Sequence, residues 1–160
     1  MLTLDTDDLI TSLKEYKKLL IERLEIAVRS FSYRVILTAI ETTPLGDASM
    51  YLKWYERRHA QYGLLPEEGF ARGSWQISKS GLFTEQEIYG VGSGEQAAAY
   101  AQSDLSEYRL GNGLYIGNNA FYIKALDTGY SKKASLGIMQ PTMQQIPIIY
   151  SISFAELLKG

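Results

Sequence analysis

Apolar residues recur at helical spacing near the start of the chain. They follow one another in steps of three and four residues, which places them on one face of a helix. The members of this series are Leu9, Leu13, Tyr16, Leu20, Leu24, Ala27, Phe31 and Val35. Asp7 and Asp8 suit the positive end of a helix dipole, and Thr43-Pro44 stops the pattern. The sequence therefore predicts a long helix over about residues 7–42.

Further apolar residues lie beside this face of the predicted helix. Leu19, Ile26, Ile36 and Ile40 widen it beyond what one face of a small sheet would cover. Two interpretations stay open: these side chains complete a single core, or they give the helix a second apolar surface for another protein.

The middle of the chain has strand-like and helix-like segments. Trp75, Ile77 and then residues 88–91 lie between Gly- and Ser-rich turns, which predicts a hairpin around residues 78–87. The alanine-rich residues 95–108 predict a helix that ends at the glycines after Arg109.

Two more strand signals follow. Residues 114–116 and 121–123 flank a turn signal at 117–119, although the second segment can instead open a helix. Residues 141–145 suit a short helix, and residues 148–154, which are rich in isoleucine and follow Pro147, predict a strand. The predicted fold is α+β: a long N-terminal helix packed on a small, mostly antiparallel sheet of about four strands, with one or two shorter helices.

Composition narrows the class of protein. The chain has 160 residues, 46% of them hydrophobic, which is enough for one domain with a real core. It has no cysteine, so disulfides and thiolate chemistry are excluded, and its net charge of −2 gives no general attraction to nucleic acid. The first residues lack the basic and apolar parts of a signal peptide. We expect a single domain over residues 1–160, soluble and retained in the cell that makes it.

Candidate catalytic and binding motifs are weak. His59 is the only histidine and has no second ligand candidate nearby. The glycines of residues 90–94 lack the lysine of a phosphate loop and the spacing of a dinucleotide fingerprint. The sequence has no Gly-x-Ser-x-Gly motif before a predicted helix, which a serine hydrolase of the nucleophile-elbow type would need. We expect no enzyme activity, no cofactor and no metal site.

One basic and aromatic segment allows two interpretations. In residues 51–62, helical spacing groups four residues: Tyr51, Trp54, Tyr55 and Arg58. Such a mixture stacks on and neutralises a nucleic-acid strand, but it is also typical of protein interfaces. We favour the interface, and nucleic-acid binding through this segment is the alternative function.

Two blocks of the sequence resemble a known family. Thr43-Pro44 ends the helix, and Gly69-Phe-Ala-Arg-Gly-Ser-Trp-Gln76 follows. The later block comprises residues 114–123, Leu126-Asp-Thr-Gly-Tyr-Ser131 and Leu136-Gly-Ile-Met139. In order and spacing they resemble the tail-completion and minor tail proteins of siphophage-like virions, over about residues 10–145. Residues 45–65 look like an insertion relative to that family, and Ser135-Leu136 stands where the family has Ala-Pro.

The resemblance implies a non-enzymatic virion protein of the phage neck or tail, assembled in the host bacterial cytoplasm. It would form a homo-oligomeric ring, which we expect to have six subunits, at the head-tail junction. Partners would be connector, terminator or tail-tube proteins. The resemblance implies neither a membrane nor a sequence-specific nucleic acid as partner, although DNA would pass through the ring.

The matching residues make physical sense as scaffold and interface. Gly69 permits a tight backbone, Arg72 can donate to a carboxylate or to carbonyls, and Trp75 can anchor the sheet against the long helix. Gly129 and Gly137 would shape a loop that carries exposed residues for subunit packing. The loop residues are Tyr130, Ser131, Lys132 and Lys133.

Overall fold

The computed structural model describes residues 6–45, 69–81, 83, 93–120, 122–155 and 157. Within these ranges the elements are α1 (Thr6–Thr42), α2 (Phe70–Gly73), β1 (Trp75–Ser78), α3 (Glu95–Ser106), β2 (Tyr115–Asn118), α4 (Ile123–Asp127), a 3₁₀ turn (Lys132–Ala134) and α5 (Met139–Phe154). The predicted strand at residues 88–91, the insertion after Leu45, and His59 lie outside the described residues.

The long N-terminal helix is confirmed, and it has two parts with different surroundings. α1 has 37 residues, and at 1.5 Å per residue it is about 55 Å long. Its buried residues all come from Ala27 onward. Every residue from 6 to 20 is exposed. We call residues 6–20 the arm of α1.

The sheet is smaller than predicted. β1 and β2 pair antiparallel, with Trp75 opposite Asn118 and Ser78 opposite Tyr115. Over the described ranges the sheet has these two strands, so the prediction of about four strands is not supported. Gly117 and Asn118 belong to β2 and not to the predicted turn. Residues 123–127 form α4, which confirms the alternative that this segment opens a helix.

The predicted strand at residues 148–154 is wrong, because these residues are the C-terminal half of α5. The buried residues of this helix, Thr142, Ile149 and Ser153, recur at helical spacing. Two of the three are polar, so a helical apolar face is hard to recognise in this segment. The β-branched residues that suggest a strand include Ile148 and Ile152, which are exposed. Packing on α1 outweighs their strand propensity.

The core lies between the second half of α1, β1 and α3. Ile36, Ala39 and Ile40 of α1 pack with Trp75 and Ile77 of β1, and three residues of α3 and one preceding α5 complete the cluster: Ala97, Ala101, Leu105 and Ile138. The alanines let α3 approach α1 closely. A Cβ at Gly94, just before α3, would lie 2.5 Å from a methyl carbon of Ile40.

α5 covers another side of α1 and runs antiparallel to it. The hydroxyl groups of Thr42 and Thr142 lie 3.1 Å apart near the start of α5. Near its end, the ring of Phe31 meets the rings of Tyr150 and Phe154 at centroid distances of 6.3 and 6.2 Å. α5 therefore ends well before it reaches the arm.

Polar contacts fix the turn after α3 to α1. Arg29 donates to the carbonyl of Tyr108 at 2.7 Å, and Glu25 accepts from the backbone N–H of Leu110 at 3.0 Å. The ammonium group of Lys79, just after β1, donates to the carboxylate of Glu107. This hydrogen bond and the attraction of the two charges hold the pKa of Glu107 below its usual value. The pair is exposed, so salt weakens it.

Two isoleucines of α1, one buried and one exposed, test which parts of this helix pack in the core. We expect Ile36→Ala, at a fully buried site, to lower the free energy of unfolding by about 2–5 kcal/mol, because it leaves a cavity. Ile26→Ala, at a site that is 57% exposed, should change it by less than about 0.5 kcal/mol. Urea unfolding followed by circular dichroism measures both. Equal losses of stability in the two variants would contradict the burial of Ile36 and the exposure of Ile26.

Candidate interaction surface

Thr43 joins the end of α1 to the segment that enters β1. Its side chain is fully buried. The indole Nε1–H of Trp75 donates to the hydroxyl of Thr43 at 2.9 Å, and that hydroxyl donates to the carbonyl of Ala39 at 2.7 Å. The Nε–H of Arg72 donates to the backbone carbonyl of Thr43 at 2.6 Å. The sequence blocks around residues 43 and 69–75 therefore meet at one residue.

The turn before β1 is built on Gly69. Its φ of 82° is left-handed, and its carbonyl accepts from the N–H of Gly73, which closes the short helix α2. The amide of Asn118 donates to the carbonyl of Ala71 at 2.6 Å, and the N–H of Ala71 donates to the hydroxyl of Tyr122 at 3.2 Å. These bonds attach α2 to the end of β2. The predicted residues Gly69, Arg72 and Trp75 thus lie together as interior scaffold.

The second block forms a loop that its own contacts close. Oδ1 of Asp127 accepts from the backbone N–H groups of Ile138 and Met139, at 3.0 and 2.7 Å. These two groups begin α5, where backbone donors have no partner within the helix. The carboxylate thus caps α5 from across the loop and also suits the helix dipole. We call residues 127–139 the closed loop.

Gly129 and Gly137 are both needed for this closure. Each has a φ of 76°, which side chains other than glycine rarely adopt. A Cβ at Gly137 would lie 2.1 Å from the carbonyl oxygen of Asp127, and one at Gly129 would lie 2.5 Å from that of Ser135. Backbone therefore occupies the space that a side chain would need at both positions.

The closed loop presents apolar side chains to solvent. Tyr130 is 90% exposed and Leu136 is 63% exposed. Ser131 caps the 3₁₀ turn by accepting from the N–H of Lys133, whose ammonium group donates to the carbonyl of Leu45 at 3.1 Å. The backbone of Tyr130 is fixed by its N–H, which donates to the carbonyl of Ala125 at 3.2 Å, while its ring is free of the core. Tyrosine is enriched in interface hot spots, so Tyr130 remains a candidate interface residue.

Exposed apolar residues also occur on the two long helices. They are Leu9, Ile10, Leu13, Tyr16, Leu19 and Leu20 on the arm, and Met139, Met143, Ile148, Tyr150 and Ile152 on α5. Single exposed apolar residues are ordinary, but groups on one face mark interaction surfaces. Of the residues that widen the predicted stripe, Ile36 and Ile40 are core and Leu19 and Ile26 are exposed. The core interpretation is therefore confirmed for Ile36 and Ile40, and a surface for another protein stays a prediction for Leu19 and Ile26.

Sequence reasoning misses two parts of this surface. Asp127 lies in the second block, but its capping role is not apparent from the sequence, because the N–H groups that it binds come eleven and twelve residues later. Sequence reasoning also misses the exposed face of α5 because the C-terminal half of that helix has the local pattern of a strand. The predicted interface residues Trp54, Tyr55 and Arg58 lie outside the described residues.

Other features of the described residues give little chemistry. A surface groove of about 380 Å³ lies beside the arm, lined by Lys14, Lys17, Lys18, Ile21, Glu22, Glu25 and Arg109. Its lining has four basic and two acidic side chains, all on the surface of the molecule. Within the described ranges, His, Asp and Glu nowhere gather in threes as metal ligands would. None of the helices described is long and apolar enough to cross a membrane.

Comparisons with known protein families, curated proteins and solved structures find no match to this chain. Its function is therefore inferred from its own residues and geometry. The strongest features are the buried junction at Thr43, the closed loop with Tyr130, and the exposed apolar faces of α1 and α5.

The junction at Thr43 can be tested by two substitutions of the same residue. Trp75→Ala should lower the free energy of unfolding by about 3–5 kcal/mol, because it removes a buried ring as well as a hydrogen bond. Trp75→Phe keeps most of the ring and loses the N–H donor, so it should cost about 1–2 kcal/mol. Denaturant unfolding measures both. Wild-type stability of Trp75→Ala would contradict the placement of this residue in the core.

The closed loop can be tested with matched glycines. Gly137→Ala should cost more than about 2 kcal/mol, since it combines a left-handed backbone with a clash against Asp127. Gly111 has a φ of 99° with nothing within 4 Å of its Cβ position. Gly111→Ala should therefore show only the conformational cost of about 1–2 kcal/mol. Thermal unfolding of both variants gives the comparison, and a smaller effect at Gly137 would refute the steric argument.

Proposed function

We propose that this protein is a structural, non-enzymatic subunit of a phage neck or tail, of the tail-completion or tail-terminator kind. The resemblance of its two sequence blocks to such proteins suggests this role. The observation that carries the proposal is Tyr130, 90% exposed on a loop that Asp127 and two glycines hold closed. An exposed tyrosine on a backbone fixed in this way is suited to one repeated protein contact.

The two blocks divide into interior and surface. At Thr43 the first block uses its polar side chains on buried hydrogen bonds within the chain. The second block uses the carboxylate of Asp127 to close a loop and leaves Tyr130 and Leu136 exposed. This division supports a protein whose polar groups maintain its shape and whose apolar groups meet other proteins. A catalytic site would instead need polar groups that converge on a pocket.

We propose that the subunits form a ring, with six copies around the passage for DNA. A ring of identical subunits needs head-to-tail contacts, in which each subunit uses two different surfaces. The closed loop at residues 127–139 and the exposed apolar faces of α1 and α5 give the chain more than one such surface. The ring would present its two faces to connector or terminator proteins and to the tail tube.

The role can be tested in the phage that encodes the protein. We expect deletion of the gene to give separate filled heads and tails, or tails of abnormal length, in electron micrographs. A plasmid copy of the wild-type gene should restore joined virions. A plasmid copy with Tyr130→Ala should restore at least tenfold fewer joined virions than the wild-type copy, because the side chain that makes the proposed contact is missing.

Tyr100→Ala is the matched control, since Tyr100 is also exposed, at 51%, but lies on α3. It should restore virions as the wild type does, and both variants should unfold at the wild-type temperature. Joined, normal virions after gene deletion would overturn the proposed role. In that case, salt-dependent DNA binding that is lost in the Arg58→Ala variant would favour the nucleic-acid alternative.

A further inference from the structure

The apolar face of the arm continues the face of α1 that α5 covers. Leu9, Leu13, Tyr16 and Leu20 follow one another in steps of three and four, and the same series reaches Phe31. Phe31 packs against Tyr150 and Phe154 of α5. Among the described residues α5 ends at Phe154, and the stripe is covered around Phe31 and exposed along the arm. We call the exposed part the bare stripe.

The bare stripe is a contiguous apolar surface. Its four residues, Leu9, Leu13, Tyr16 and Leu20, are each between 42% and 64% exposed. Together they offer on the order of 400 Å², about half of the roughly 800 Å² that each partner buries in a standard interface. The stripe is also continuous with a face that already binds a helix, which indicates a helix as its natural partner.

The outer surface of α5 has the complementary chemistry. The sequence from Met139 to Phe154 contains no charged residue. Met139, Met143 and Tyr150 are exposed and lie on one flank of the helix, four and seven residues apart. We call these three residues the α5 flank. Solvent-facing sides of helices ordinarily carry charges, so a charge-free exposed flank is typical of a surface that a partner covers.

We propose that the arm of one molecule packs its stripe on the α5 flank of a second copy. Three observations support a second copy as the occupant. The same stripe already packs on α5 within the chain, through Phe31 and Tyr150. The uncharged flank leaves no ion buried without a partner when an apolar helix covers it. The contact covers both bare surfaces at once, whereas pairing of two arms would leave the α5 flank exposed.

This contact joins two different surfaces, so it repeats from one molecule to the next. Such head-to-tail contacts produce a ring when the rotation between neighbours closes and a filament when it does not. The biological setting of the contact rests on the proposed function. The contact itself involves only this chain and can be tested with the purified protein.

Cysteine cross-linking tests the pairing directly, because the chain contains no cysteine. Leu13 and Met143 are 58% and 56% exposed, so Leu13→Cys and Met143→Cys are matched sites. Mild oxidation of a mixture of the two variants should give disulfide-linked dimers at least tenfold faster than either variant alone. A mixture of Leu13→Cys with Ser103→Cys, at an exposed site on α3, measures random collision.

Several results would overturn the proposal. Cross-linking of Leu13→Cys with itself would show that two arms pair. Cross-linking at the collision rate in every mixture would show that the surfaces do not meet. Sedimentation provides a second measurement: the wild type should be oligomeric, and Leu13→Glu should be monomeric and still folded by circular dichroism. An unchanged mass for Leu13→Glu would mean that the stripe lies on no second copy.

The test separates this inference from the proposed function. Cross-linked pairs together with normal virions after gene deletion would support the contact between arm and α5 and contradict the phage role. Defective virions with cross-linking only at the collision rate would support the phage role and contradict that contact. In the second case the closed loop with Tyr130 would remain the interface.

Discussion

The fold depends on the hydrogen bonds that converge on Thr43. α1 has 37 residues, and its apolar face alone does not determine where along the helix a small sheet packs. Thr43 determines that position, because its hydroxyl accepts from the indole of Trp75 and its carbonyl accepts from the guanidinium of Arg72. These buried bonds set the position of β1 along α1. The core of α1, β1 and α3 and the pairing of β1 with β2 follow from that position.

The fold is predictable from the sequence where local pattern and packing agree. α1 has a sustained apolar period and a stop at Thr43-Pro44, and α3 has a run of alanines, so the prediction of both helices succeeds. The prediction fails at α5 because Ile148 and Ile152 indicate a strand locally while burial against α1 requires a helix. The turn signal at Gly117 fails for a related reason: β2 obtains its partner from β1, far away in the sequence.

Prediction of the candidate site succeeds only in part. Gly69, Gly129 and Gly137, which the family resemblance singles out, all have a left-handed backbone. The exposure of Tyr130 and the capping role of Asp127 depend on how the closed loop returns to α5. The sequence shows that α1 has more apolar residues than one core face needs, which is consistent with an exposed stripe. The length of the bare stripe depends on where α5 ends, and no local sequence pattern indicates that position.

Pro147 has a consequence for the order in which the chain acquires its structure. It lies inside α5 and has no N–H to give to the carbonyl of Met143, and its neighbours Ile148 and Ile149 are poor helix formers. α5 on its own therefore lacks the propensity to stay helical and obtains its order from docking on α1. Such a segment opens at a lower free energy than the helix on which it docks. A molecule that competes for the docking face of α1 would then act on the folding of this last segment, as well as on binding.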